Sequence, residues 1–227
     1  MRRLWIFIFL IVCTMLLVNG QGNRLLVLET GAFVTYQPLK SWNFNTSIVQ
    51  RTSHLEALNK KSWQFSYFEI NQLFNRKINP SLSAALGYKY RSNDPVEQLD
   101  IYEHRITEQL VWTHFERKWR LVSRLRLEQR FFQDDFAQRL RYRTSLDIPL
   151  SGEKLDPGEF YLVVSNELLL QVEKGSHEEW SDRIGGSLGF VFSKSLRLEA
   201  SFIHRFERLT TEFSDVSFVH TNVLIRL

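Results

Sequence analysis

The chain has 227 residues, 44% of them hydrophobic, and carries 29 Lys plus Arg against 25 Asp plus Glu for a net charge of +4. Two of those arginines, Arg2 and Arg3, sit at the extreme N-terminus, so the remaining excess of base is too small to mark a nucleic-acid partner. The only cysteine, Cys13, falls in the same N-terminal stretch, which leaves the rest of the chain no thiol for a disulfide, a zinc site or redox chemistry.

Residues 1–20 have the form of a secretory signal peptide: Arg2 and Arg3, an apolar run from Leu4 to Val18, then Val18 and Gly20 three and one positions before a cut at Gln21. The run is shorter than the ~20 residues that a membrane helix needs, and Val12 before Cys13 is too large for a lipoprotein site. The expectation is an exported chain whose residues 21–227 form one domain. No later apolar run reaches helical membrane length, so any passage through a membrane has to be made by strands.

Between turn signals the chain reads as a succession of strands near Val27–Gln37, Trp42–Arg51, Trp63–Asn75, Ser81–Arg91, Ile101–His114 and Trp119–Phe131. Further ones follow near Phe136–Leu150, Phe160–Leu170, Trp180–Phe192, Leu196–Arg208 and Val216–Leu227. Their length is about twice the ~5–6 residues of ordinary strands and close to the ~9–11 that cross hydrocarbon at a tilt. Within them apolar and polar residues alternate in a held phase. In Arg120–Phe132 the leucines 121, 125 and 127 share one face and Arg120, Arg124, Arg126, Glu128 and Arg130 the other; Leu140, Tyr142 and Leu146 oppose Arg139, Arg141 and Arg143 in the same way. In the third segment Phe65 and Tyr67 fall out of phase with Phe68 and Ile70, the mark of a bulge. "SHLEALNKK" reads as a loop with a turn or two of helix.

Short connections ("PLKS", "RKINP", "FERK", "SKS") alternate with longer polar ones ("TSHLEALNKKS", "SNDPVEQ", "EKGSHEE", "LTTEFSD"), as in membrane barrels with periplasmic turns and outer loops; "SGEKLDPGE" is long for its side. Trp42, Trp63, Trp112, Trp119 and Trp180 all stand near strand ends, where interfacial aromatic girdles form. The final strand ends on alternating apolar residues at Leu227. The expected fold is therefore all-β: a transmembrane antiparallel β-barrel, closed as an up-and-down meander of about ten to twelve strands, in the bacterial outer membrane. Eleven segments are visible, but barrels with both termini in the periplasm have even counts. That rule favours twelve strands, with a break at "ETG", over ten.

The blocks "EHRITEQLVWTHFERKWRLVSRLRLEQRFF", "RLRYRTSLDIPL", "VSNELLL" and "DRIGGSLGFVFSKSLRLEASFIHRF" resemble a bacterial family known only as domain of unknown function 2490, in order from about Trp42 to the C-terminus. The resemblance implies an outer-membrane barrel and no assigned activity.

The chemistry is concentrated in a charge cluster on the inner face: Arg120, Arg124, Arg126, Glu128, Arg130, Arg139, Arg141, Arg143 and Asp147, with Glu103, Glu167 and Glu199 as counter-charges from other strands. Two lumens fit it. In a sealed one nearly every guanidinium meets a carboxylate, and the protein has a structural or surface-interaction role; in an open one the arginines face water and prefer anions. A narrow barrel favours the sealed form. A lipid hydrolase would need a Ser and a His on one face, whereas Ser201 and His204 are three apart and point oppositely, leaving only cross-strand pairs. "SHEE" (His177, Glu178, Glu179) reads as a solvated loop rather than a metal site. The sequence calls for no cofactor, metal or catalytic constellation. The expected partners are outer-membrane lipids and, during biogenesis, the barrel-assembly machinery.

Overall fold

The computed structural model describes residues 26–57, 60–93, 101–116, 118–133, 135–173, 178–210 and 213–227; the expected signal peptide, 1–20, lies outside them. Eleven strands follow in chain order: β1 (Leu26–Leu39), β2 (Trp42–Ala57), β3 (Lys60–Lys77), β4 (Leu82–Asn93), β5 (Ile101–Phe115), β6 (Arg120–Phe131), β7 (Phe136–Pro149), β8 (Phe160–Glu173), β9 (Glu179–Val191), β10 (Leu196–Glu207) and β11 (Ser214–Arg226). Each pairs with the next, and β1 closes on β11 to make a barrel with no free edge.

All eleven segments read from the sequence are strands, and it is the even-count rule that gives way. "ETG" does not break: β1 runs through Glu29, Thr30 and Gly31, paired with β2 on one side and β11 on the other. An up-and-down meander of odd count must bring its first and last strands together in the same direction, and β1 and β11 are parallel over Leu26–Thr35 against Ser217–Arg226. Parallel pairing is slightly weaker per residue, but ten registered pairs and a bond from the Leu227 N–H to the Thr35 carbonyl (2.9 Å) complete the closure. The start of β1 therefore lies at the end of the barrel that carries the longer connections, and the end of β11 at the other.

Period-two alternation decides what faces where. On β7 Ala137 is fully buried, while Phe136, Leu140 and Tyr142 are exposed on the outside. The outer band is rich in such residues, among them Ile48, Ile70, Phe74, Leu86, Ile106, Leu110, Leu168 and Ile184. Glu108 interrupts it, standing in register between Leu86 and Leu127 without an ion partner among the described residues.

The bulge on β3 is present. Arg51 pairs with Tyr67 and Thr52 with Phe65, so Ser66 is the extra residue. Its hydroxyl meets that of Ser53 at 2.6 Å, and Tyr67 is buried inside. Phe65 and Phe68 thus share the outer face although an even number of steps does not separate them, which is how the sequence comes to break phase. The "TSHLEALNKKS" stretch is not a loop with helical turns: the β2–β3 ladder continues to the Ala57–Lys60 pair, because a paired hairpin satisfies its own backbone groups beyond the barrel rim. The long "SGEKLDPGE" connection folds back on the barrel. The Gly158 N–H donates to the Val191 carbonyl (2.7 Å) and Val191 N–H to the Glu159 carbonyl (3.0 Å), with Gly152 and Gly158 at positive φ to allow the turns.

Gly189 is directly opposite Tyr161 across β8 and β9, and a Cβ at that position would fall inside the phenol ring. The ring lies flat over the glycine, buried, with its hydroxyl donating to Glu199 Oε1 at 2.6 Å. Gly189→Ala should expel the ring and lower stability by ~1–3 kcal/mol. In a double-mutant cycle with Tyr161→Ala, monitored by denaturant unfolding, the two losses should be strongly non-additive; simple additivity would show that the ring does not need the glycine.

Candidate functional site

The inward faces of β1–β11 enclose a cavity of about 690 Å³. Twelve cationic side chains line it, Arg51, Lys89, Arg91, Arg105, Arg124, Arg126, Arg130, Arg139, Arg141, Arg143, Arg183 and Arg205, against the carboxylates Glu29, Glu69 and Glu167. Glu103 and Glu128 are sealed in the wall at 1% exposure each and raise the acidic count to five.

These five carboxylates carry most of the ion pairs around the cavity; Arg205 has its own partner in Glu207 at 2.8 Å. Glu69 on β3 binds Lys89 (2.6 Å) and Arg91 (2.7 Å) of β4. Arg91 leans towards Glu103 of β5 (3.7 Å), which holds Arg105 (2.6 Å) and Arg130 (2.7 Å). Arg105 continues to Glu128 on β6 (3.1 Å), and Glu128 also receives Arg141 of β7 (2.9 Å) and Arg126 (3.5 Å). Arg141 passes on to Glu167 of β8 (2.7 Å), which is shared with Arg124 (2.9 Å) and Arg183 of β9 (3.5 Å). The belt therefore runs unbroken from β3 to β9. A separate group lies by the closing seam: Glu29 accepts from Arg51 (2.7 Å) and from the Tyr67 hydroxyl (2.8 Å) and faces His220 at 3.6 Å, while the Arg51 and Arg91 guanidinium groups stand 4.4 and 4.0 Å from the Tyr67 ring centre.

Of the residues expected in the cluster, Arg124, Arg126, Arg130, Arg139, Arg141 and Arg143 line the cavity, and Glu128, like Glu103 and Glu167, pairs with three of the guanidinium groups. Arg120 and Asp147 pair with each other near the short-turn end of β6 and β7, away from the belt. Glu103 and Glu167 are counter-charges as expected. Glu199 accepts from Tyr161 and forms no direct ion pair among the described residues, though it stands near enough to Arg143 and Arg197 to attract them. Arg139 binds the Gln171 side-chain oxygen (2.8 Å) rather than a carboxylate, and Arg143 has no hydrogen-bond or ion-pair partner among the described residues. Trp42, Trp112 and Trp119 are exposed on the outside towards the short-turn end, and Trp180 towards the other. Trp63 pairs with His54 near the far end of β2 and β3; its side chain lies outside the described part of the structure, as does His177 of "SHEE".

The expected cations were confined to β6 and β7, with counter-charges from β5, β8 and β10, and the reading missed Glu29, Arg51, Glu69, Lys89, Arg91, Arg105, Arg183 and Arg205. The signal for them was the same alternation, since Lys89 and Arg91 oppose Leu86, Tyr88 and Tyr90 on β4, and Arg105 shares a face with Glu103.

Register exposes a strain that a list of pairs conceals. Lys89 is directly opposite Arg105, Arg105 opposite Arg130, Arg124 opposite Arg143, Arg126 opposite Arg141, and Arg183 opposite Arg205. Like charges so placed repel. Six carboxylates relieve part of this, Glu207 standing 2.8 Å from Arg205 Nε, and the Nε groups of Arg124, Arg141 and Arg183 remain buried without a hydrogen-bond partner.

Outside the barrel a cross-strand His–Ser pair does occur. His204 Nδ1 is 3.1 Å from Ser217 Oγ, and Asp215 lies 3.4 Å from His204 Nε2. Acyl transfer also needs donors aimed at a developing oxyanion. Ser217 is paired on both sides, to His204 on β10 and to Leu26 on β1, so the neighbouring backbone N–H groups belong to the ladders.

Removing Glu128 takes a carboxylate from three guanidinium groups at once and leaves Arg126 with no other ion pair among the described residues. Glu128→Ala should cost ~3–5 kcal/mol in denaturant unfolding of the barrel in detergent. Glu199→Gln, which keeps an acceptor for Tyr161, should cost less than ~1 kcal/mol. Equal losses would mean that Glu128 does not hold the belt together.

No curated protein and no solved structure matches the chain. A family model described as "Protein of unknown function (DUF2490)" matches residues 30–216, from within β1 to the start of β11, and so begins earlier than the Trp42 where the sequence resemblance was placed. With the match spanning most of the barrel, the chain belongs to the DUF2490 family.

Proposed function

We propose that the chain is an outer-membrane β-barrel whose lumen is a hydrated, cationic passage that prefers anions. The observation that carries this reading is the charge balance of the cavity, twelve lining cations against three lining carboxylates, two more sealed in the wall and Glu207 paired with Arg205, with Arg143 left without a hydrogen bond or ion pair among the described residues. A sealed lumen, favoured from barrel width alone, asks that nearly every guanidinium meet a carboxylate, because each unpaired buried charge costs several kcal/mol. The excess is tolerable where water and mobile anions reach it. Eleven strands lie between the eight that side chains fill and the sixteen or more that leave a wide channel.

The outer-membrane part of the reading is supported by the closed barrel, strands of 12 to 18 residues, the apolar outer band and the tryptophans near both ends. In this reading the signal peptide directs export, the assembly machinery inserts the barrel, and outer-membrane lipids surround it. No catalytic step, cofactor or metal is part of it.

The facing of each strand makes the membrane reading testable in lipid vesicles. Leu125→Arg, Leu140→Arg and Ser123→Arg, all on the outer face, should each cost ~2–4 kcal/mol or block assembly, whereas Val122→Arg points into the lumen and should be tolerated. Glu108→Leu should stabilise the protein in lipid, since a carboxylate facing hydrocarbon is disfavoured. Tolerance at all of the outer positions would contradict a lipid-facing surface.

Planar-bilayer recording tests the lumen. Steady current with anion preference is expected, weakened or inverted by Arg126→Glu. A silent bilayer, with Glu128 governing stability alone, would return the barrel to a sealed structural role.

A further inference from the structure

Arg124 and Arg143 face each other in register across β6 and β7, and both line the cavity. Side chains so placed leave the sheet within about 5 Å of one another, so two guanidinium groups enter one small volume. The carboxylate that register brings nearest is Glu167, opposite Arg143 on one side and Arg183 on the other. Its oxygens are already taken, one by Arg124 at 2.9 Å, the other by Arg141 at 2.7 Å and by Arg183 at 3.5 Å. Arg143 is left with no hydrogen-bond or ion-pair partner among the described residues, and Arg124 and Arg183 each bury an Nε without one. Ser165, two registered pairs along from Glu167 and on the same face, adds a hydroxyl to the same wall.

We infer that Arg124, Arg143 and Arg183 form a seat for a phosphoryl group, either inorganic phosphate or the head of a small phosphomonoester. The inference rests on the reading of the lumen as hydrated and anion-preferring. A halide offers no geometry to a guanidinium fork, and a monocarboxylate fills one fork. A phosphoryl group brings about two negative charges and three or four oxygens that accept from several directions at once, which suits guanidinium groups set on three strands around Glu167, Arg124 and Arg183 paired with it and Arg143 opposite it in register. It also supplies the charge that the Arg124–Arg143 opposition lacks. Glu167 borders the seat, but its charge is already spread over three guanidinium groups and repels an incoming anion less than a free carboxylate would.

The test is calorimetric titration of inorganic phosphate into the purified protein in detergent at constant ionic strength, with chloride as the control and glycerol phosphate as the second probe. Phosphate is expected to bind saturably where chloride does not. Arg143→Gln should weaken it by at least about tenfold, yet unfold no earlier than the parent without phosphate, because no protein partner is lost. Arg91→Gln, across the lumen, should destabilise the barrel but bind phosphate as the parent does. Binding of both probes extends the seat to phosphomonoesters; binding of phosphate alone limits it to the free ion. Equal heats from chloride, or undiminished binding by Arg143→Gln, would overturn the inference. Bilayer recording separates it from the wider reading: anion-selective current with no phosphate binding discards the seat and keeps the passage, whereas phosphate binding without current keeps the seat and discards the passage.

Discussion

A charged side chain inside a barrel cannot turn back to solvent through the wall, so its charge has to be met inside. That constraint organises this molecule more than any apolar core does. Among the described residues the largest fully buried side chains are Arg105, Glu103, Glu128 and Val191, three of them ionic. Backbone ladders alone do not choose between registers, since a strand shifted by one residue makes equally good hydrogen bonds while every side chain changes face. The belt from Glu69 to Arg183 does choose. A slip of β6 against β7 by one residue would turn Glu128 towards the outside, together with Arg126, and leave Arg105 and Arg141 without it, a loss far larger than any gain in the ladder.

The same logic explains how a parallel seam can close an odd-stranded barrel. β1 and β11 meet where the belt does not reach, and there Glu29 stands opposite His220 across the seam and opposite Arg51 across β1 and β2. Tyr67, turned inwards by the bulge at Ser66, donates to Glu29 and lies between Arg51 and Arg91. One extra residue in β3 thus links the seam cluster to the belt, which begins at Glu69 two residues further on.

Period and length made the fold legible. Eleven strands, their phase and the bulge at Phe65–Phe68 all follow from where apolar residues fall. What misled was a general rule, the even count, imposed on a chain whose own pattern read eleven. The loop at "TSHLEALNKKS" was misread because its polar residues belong to a hairpin, where the backbone pairs whatever the side chains are. Within the site, the density of arginines on β6 and β7 was visible because they are neighbours in sequence. Lys89, Arg91, Arg105 and Arg183 come one or two to a strand, and only closure of the barrel brings them to the same space. The partner of Glu199 was not legible at all: that Tyr161 claims it depends on the room above Gly189.

Eleven of the twelve lining cations are arginine, and geometry gives the reason. Arg105 bridges Glu103 and Glu128, and Arg141 bridges Glu128 and Glu167, each using different nitrogens of one planar group. A lysine is a single point of charge and cannot hold two carboxylates on neighbouring strands in fixed directions. Lys89 stands where the belt starts and has only Glu69 to satisfy. The belt can therefore run across seven strands on few carboxylates, because each guanidinium is a link with two ends. The consequence is an excess of positive charge, since a chain of bridging arginines with arginines also at its margins has more cations than acids. The anion preference proposed for the lumen is thus a by-product of how the barrel is braced, and it is strongest where the carboxylates have been used up, between Arg124 and Arg143.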